Sequence, residues 1–168
     1  VKPMMKALMS CKAIIFDVRN YPQGTMSYIT EYLNPDSRPY VRFTYVDFDY
    51  PGALKWAKSP YYTGKRKNKK YYKGAVILLQ NETTQGHAEV TIMAMRTAPN
   101  SIIIGSQTAG ADGNVTRITM PGGIKATFTG LGVYNMDGSD TQRIGIVPDI
   151  EVRPTIEGMR AGRDEVLE

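Results

Sequence analysis

The sequence predicts an α/β fold with a small parallel sheet and additional antiparallel strands. Three short, almost continuously apolar runs carry the first part: residues 12–18 (KAIIFDV), 75–79 (AVILL) and 101–105 (SIIIG) read as strands buried on both faces. A helix-like stretch at 87–98 (HAEVTIMAMRTA) joins the second run to the third through short connections, the pattern of a parallel layer. Beyond residue 114 apolar and polar residues alternate around tight glycine turns, which is antiparallel grammar.

In chain order, the first strand is followed by a turn-rich patch, 19–25 (RNYPQGT). Met26, Ile29 and Leu33 then recur at helical spacing, which predicts a short amphipathic helix near 25–33. Residues 34–52 mix Pro, Asp and alternating Val41, Phe43 and Tyr45, and read as loop with at most one strand. Residues 55–73 receive no regular structure. The turn at 81–86 (NETTQG) separates the second strand from the apolar helix, which Pro99 and Asn100 stop. VTRITM and IKATFTGLGVYNM form two or three strands around Gly122-Gly123, IEVRP closes the strand region, and TIEGMRAGRDEVLE ends the chain as a polar helix or two.

The chain has 168 residues, 42% hydrophobic and 22% charged, which is about one domain's worth of ordinary globular sequence. That composition excludes a disordered tail, a collagen-like repeat and a disulfide scaffold. No apolar run approaches the roughly 20 residues that span a bilayer. One Cys (Cys11) can form no internal disulfide, and one Cys with one His excludes a four-ligand zinc site; no metal or cofactor is expected. The start at Val1 without an initiator Met, and the scarcity of His and Cys, lead us to expect one incomplete domain over residues 1–168.

The net charge of +5 is local. Residues 55–73 (KWAKSPYYTGKRKNKKYYK) carry eight Lys or Arg and no acid, and the rest of the chain is slightly acidic. Tyr61, Tyr62, Tyr71 and Tyr72 interleave with these cations, a combination that can grip single-stranded nucleic acid. No recognition motif accompanies it, so the segment reads as a solvated loop with tyrosines anchoring its ends.

The place best suited to chemistry is the turn from the second strand into the apolar helix. Such a turn sits at the positive end of the helix dipole beside free backbone N–H groups, where nucleophilic serines are commonly mounted. Here the turn reads Gln85-Gly86-His87-Ala88-Glu89, with no serine.

Four segments resemble the carboxy-terminal-processing (tail-specific) and tricorn-like serine peptidases. KAIIFDVRNYPQG resembles that family's strand and D-L-R-x-N-x-G-G turn; GAVILLQNETTQGHAE its strand and N-x-x-T-x-S-x-x-E, in which Ser is the nucleophile. IIIGSQTAGADGN resembles the strand leading into G-x-x-T-x-G, and GVYNMDGSDTQRIGIVPDIEV the closing D-G and G-I-x-P-D signature before a G-R-D tail. The resemblance covers roughly residues 12–30 and 74–168 in the family's order. It implies a ClpP/crotonase-like layered β-β-α spiral and peptide-bond hydrolysis through an acyl-enzyme. It also implies an unstructured protein or peptide as substrate, upstream domains and the start of the catalytic domain missing from this chain, and an extracytoplasmic parent. Another copy could cover sheet edges left open, giving a homo-oligomer.

Carried over by position, the nucleophile falls on Gly86, so the chain is expected to be inactive, whether through natural loss or deliberate replacement. Ala111 and Val115 stand where the Ser-Lys branch places its Lys and Gln, which argues against that branch. The tricorn-like relay takes its His from well upstream of the first strand, where this chain holds none. Its late acid falls on Asp140 or Gln142: Asp140 is the natural acid, but Gln142 aligns better when counted back from Gly145-Ile146-Val147-Pro148-Asp149. The oxyanion hole would use the N–H of His87 and an N–H from Gln23 or Gly24, although Tyr21 and Gln23 depart from the family's Asn and Gly. The His87 side chain points away from residue 86 and reads as a helix-start His; Thr83 and Thr84 lie off the apex, and Glu89 reads as structural. The alternatives are a non-catalytic peptide-binding module, with peptide pairing to the strands at 115–135, and a nucleic-acid-binding domain built on the basic segment.

Overall fold

The computed structural model describes all 168 residues. In chain order its elements are α1 (Lys2–Leu8), β1 (Ala13–Asp17), α2 (Met26–Leu33), β2 (Arg38–Val46), β3 (Leu54–Trp56), β4 (Tyr61–Thr63) and β5 (Ala75–Gln80). They continue with α3 (His87–Met95), β6 (Ser101–Gly105), β7 (Val115–Thr119), β8 (Lys125–Thr129), β9 (Leu131–Tyr134), β10 (Ile150–Glu151) and α4 (Ile156–Arg160).

The parallel layer is the sheet β1-β5-β6-β10, with every pair parallel. Ile14, Val76, Leu78 and Ile103 share its buried face. They join Leu33 of α2, Ile92, Met93 and Met95 of α3, Val41 of β2 and Val133 of β9 in one core cluster. The opposite face is less covered: Ile15 is 48% and Ile102 39% exposed. The first and third runs are therefore buried on one face, not on both, because no layer covers the side of the sheet that carries Ile15 and Ile102.

α2 places Met26, Ile29, Thr30 and Leu33 on its buried side, as its spacing predicts. α3 is buried nearly all round, because α2 packs on it as well as β2 of a second sheet. It stops at Met95, short of residue 98, because Arg96 is the C-cap and the Thr97 hydroxyl turns back onto Ala94 O.

The second sheet is antiparallel. β2 pairs with β3 and β4 on one edge and β9 on the other. β2 runs nine residues through a region that reads as mostly loop; Pro39 and the register shift between Pro39 and Val41 interrupt its alternation. The basic segment is likewise not free of regular structure: β3 begins at Leu54 and β4 lies inside the segment, both held on β2. Of its tyrosines only Tyr72 anchors as expected, 2% exposed with its hydroxyl donating to Cys11 O, while Tyr61 and Tyr62 stay open.

β7 and β8 form a separate hairpin whose principal contacts lie within itself. α1 fully buries Met5 and packs Leu8 and Met9 partly against the core. The C-terminal residues form one short helix, α4, with Thr155 as N-cap: its hydroxyl accepts from the Gly158 N–H. No helix is long and apolar enough to cross a membrane.

Candidate active site

The turn between β5 and α3 is held from three sides. Asn81 opens it, its carboxamide oxygen accepting from the Thr83 N–H and hydroxyl. Thr84, 1% exposed, accepts from the Asn81 N–H with its hydroxyl, and its carbonyl accepts from the Ala109 N–H at 3.0 Å. Below it Gln80, fully buried at the end of β5, donates to Ser106 O and Ile146 O.

At the apex Gly86 adopts φ 57° and ψ −120° as the N-cap of α3. An L side chain rarely takes that backbone, and glycine takes it without a Cβ penalty. A Cβ there would nevertheless meet only ordinary contacts, the nearest being Ala111 O and the Tyr21 hydroxyl oxygen at 3.6 Å. The space for a side chain is real, and the Tyr21 phenol borders it.

Glu89 fixes the turn from inside. It is fully buried; Oε2 accepts from the Gly86 N–H at 3.0 Å, and Oε1 from the Thr108 hydroxyl and the Gly110 N–H at 2.9 Å. One carboxylate in the first helical turn, where the dipole favours it, thus joins the turn to the loop following β6. Gly110, at φ 64°, fits there because a Cβ would lie 2.8 Å from the Ile144 and Gly145 amide nitrogens.

The remaining positions divide. The His87 N–H, first of α3, donates to no group of the chain. The His87 ring lies 6.3 Å from that of Tyr21, and its Nε2 is buried without a partner. Gln23 and Gly24 stand in the loop that carries Tyr21, with a Cβ at Gly24 meeting nothing within 4 Å. Gln142 donates through Nε2 to Asp112 O at 2.9 Å and Leu131 O at 3.1 Å, next in chain to the Ala111 that borders Gly86. Asp140 is exposed, bridged to Tyr134, and opens into a groove of about 550 Å³ with Arg96, Asn135 and Asp137. Arg96 caps the C-terminal end of α3 and Gly86 its N-terminal end, about 15 Å apart at 1.5 Å per residue. Gln142 thus contacts the loop beside Gly86, whereas Asp140 shares a groove with the Arg96 side chain.

Sequence reading missed Asp112. It is 4% exposed; Oδ1 accepts from the Gly113 N–H, and Oδ2 is buried with no partner. Burial, reinforced by the nearby Glu89 charge, pushes its carboxyl up to about 7. Nothing local marks it, since Asp between Ala and Gly reads as an ordinary turn residue.

Behind the first strand, Arg19 forks onto Asp17 and onto Asp164 of the closing G-R-D tail, with contacts of 2.6–2.7 Å. Both carboxylates are held below the ordinary range by the Arg19 hydrogen bonds. Asp149 of the P-D pair accepts from the Ile103 N–H. Three of the resembling segments are thus joined by their own charged residues.

Residues 1–152 match the family described as Peptidase family S41. The chain belongs to this family. Among solved structures it is similar to a peptidase structure from Parabacteroides merdae, with TM-score 0.82 and 24% identity over 98% of this chain and 52% of that one. It is also similar to mature CPAF complexed with lactacystin (TM-score 0.75, 16% identity, 95% and 43% of the two chains). A third is the photosystem II D1 C-terminal processing protease (TM-score 0.63, 19% identity, 89% and 37%). The S41 chain described here therefore spans about half or less of the length of these structures. No curated protein matches it.

Proposed function

We propose that this chain is the part of an S41 serine endopeptidase catalytic domain that carries the nucleophile turn, with Gly86 in the nucleophile's place and no peptidase activity of its own. The observation that carries the reading is the Gly86 backbone: a strained strand-to-helix apex with room for a side chain and an unengaged N–H one residue on. In a parent with Ser at this position, the hydroxyl oxygen would attack a peptide carbonyl carbon while an upstream imidazole takes its proton. The carbonyl oxygen would gain the negative charge and accept from the His87 N–H and an N–H at Gln23 or Gly24. The imidazolium would return the proton to the leaving amine, and water would release the acyl group by the same steps. Gln142 is the better supported late position, since it braces the 111–113 backbone beside Gly86, whereas Asp140 shares a groove with the Arg96 side chain. The substrate class would be unstructured polypeptide and the location of the parent extracytoplasmic.

The test is a full-length parent carrying Ser at 86, assayed on an unfolded protein and with a fluorophosphonate. Labelling and cleavage that vanish with Gly86 are expected; no label and no cleavage would overturn the reading.

A second reading, a non-catalytic peptide-binding module, draws on Tyr21, whose hydroxyl borders the space a nucleophile would need. Binding of an unfolded peptide to the Gly86 chain, abolished by blocking the turn, would favour it.

A further inference from the structure

The outer edge of the β3–β4 side of the second sheet carries a feature that the turn at Gly86 does not use. β3 and β4 each pair with β2 on one side only, so their other edges have free backbone donors and acceptors. Between them runs a groove of about 400 Å³ lined by Tyr45, Lys58, Pro60, Tyr61 and Tyr62. Tyr61 is 50% and Tyr62 57% exposed, so the two rings offer apolar faces to solvent. Trp56 of β3 packs against Tyr134, at 4.6 Å between centroids, with the Arg42 guanidinium 4.1 Å over its ring.

Unpaired cations outnumber acids beside this edge. Lys55 pairs with Asp47 and Lys65 with Glu31, but Lys58, Arg66, Lys67, Lys69 and Lys70 form no ion pair. The loop that carries the last four is fixed in place, because Asn68 donates to Glu31 O and Asn34 O and its N–H to Pro35 O. A bare strand edge, exposed tyrosine rings and unpaired cations on an anchored loop together select one kind of ligand. The edge takes a backbone that can pair with it, the rings take proline or aromatic side chains, and the cations take carboxylates.

We infer that the β3–β4 edge is a docking surface for an acidic, extended polypeptide segment rich in proline or aromatic residues. The unpaired edge favours polypeptide over single-stranded nucleic acid, which could use the rings and cations but not the strand's N–H and C=O groups. The surface stands apart from the turn and holds whether or not the reading of Gly86 does.

The test uses the whole 168-residue chain and a fluorescein-labelled Glu-Pro-Glu-Tyr repeat peptide, about twelve residues long so that it outreaches the edge. Anisotropy is read at about 0.03 M and about 0.3 M salt. The expected result is saturable binding, weakened about tenfold or more by the higher salt, by replacing every Glu of the peptide with Gln, and by Lys58→Glu with Lys69→Glu and Lys70→Glu. Equal binding of the Gln peptide, or no binding at the lower salt, would overturn the inference; so would tighter binding of a thymidine oligonucleotide of similar length. If the triple variant loses its thermal transition, the Gln peptide and the salt series on the unaltered chain decide alone.

Discussion

Glu89 and Gly86 are joined at 3.0 Å by a bond from the Gly86 N–H to the Glu89 carboxylate, and that bond sets the shape of the candidate site. Because the same carboxylate also holds the Gly110 N–H and the Thr108 hydroxyl, Glu89→Ala would strand several buried donors. Each costs about 1–3 kcal/mol, so a loss of about 3 kcal/mol or more is expected in urea unfolding. Glu89→Gln keeps one acceptor oxygen and should lose less. An unchanged unfolding midpoint for Glu89→Ala would mean the turn is held by something else.

Asp112 makes stability fall as pH rises. Its folded carboxyl titrates at about 7 against 3.8 for the ordinary group, so between those values the folded chain keeps a proton that the unfolded chain has released. The contribution is fully present below about pH 4 and lost as pH passes 7, amounting to about 4 kcal/mol at most. Asp112→Asn retains an oxygen for the Gly113 N–H and should flatten the decline between pH 5 and about 8. Thermal midpoints across that range measure it, and parallel curves for the two chains would refute the assignment.

Adding a side chain at the apex should cost conformation, not space. Gly86→Ser and Gly86→Ala would each hold φ 57° with only ordinary contacts, at a cost of about 1–3 kcal/mol. Equal losses for the two in chemical denaturation are expected. A much larger loss for both would show that Tyr21 and Ala111 leave less room than their 3.6 Å separations indicate.

Arg19 ties the tail to the first strand, so Asp164→Asn should free residues 156–168 while leaving the core intact. Trypsin should then cut faster at Arg160 and Arg163, with the main unfolding transition unmoved. Because the Asp17 and Asp164 carboxyls are depressed by Arg19, the attachment should persist below the ordinary aspartate range and loosen only as pH falls through their lowered values. Cleavage rates equal to those of the unaltered chain would contradict this.

Three strands of the parallel layer were legible because they are apolar runs with an apolar helix between two of them, whereas two-residue β10 joins the layer only through its pairing with β6. β2 was not, since Pro39 and the bulge break its alternation, and β3 and β4 hide among lysines because what holds them is pairing with β2. At the site, Gly86 could be found from its neighbours in the chain. The Glu89–Thr108–Gly110 contact and the unpartnered Asp112 could not, because they arise only when the loop after β6 folds back over the turn. Asp140 and Gln142 could not be told apart in the chain, since side chains two apart along an extended stretch point alike; in the fold Gln142 donates to Asp112 O and Leu131 O while Asp140 stays exposed.

The self-contained β7–β8 hairpin has a consequence for how the chain breathes. A two-stranded ribbon with few outside contacts opens by itself at a small fraction of the global free energy. Amide exchange within it, at Arg117 or Thr127, should report that local opening alone and stay insensitive to changes at Glu89 or Asp112. It is the segment of this molecule best able to move without disturbing the core.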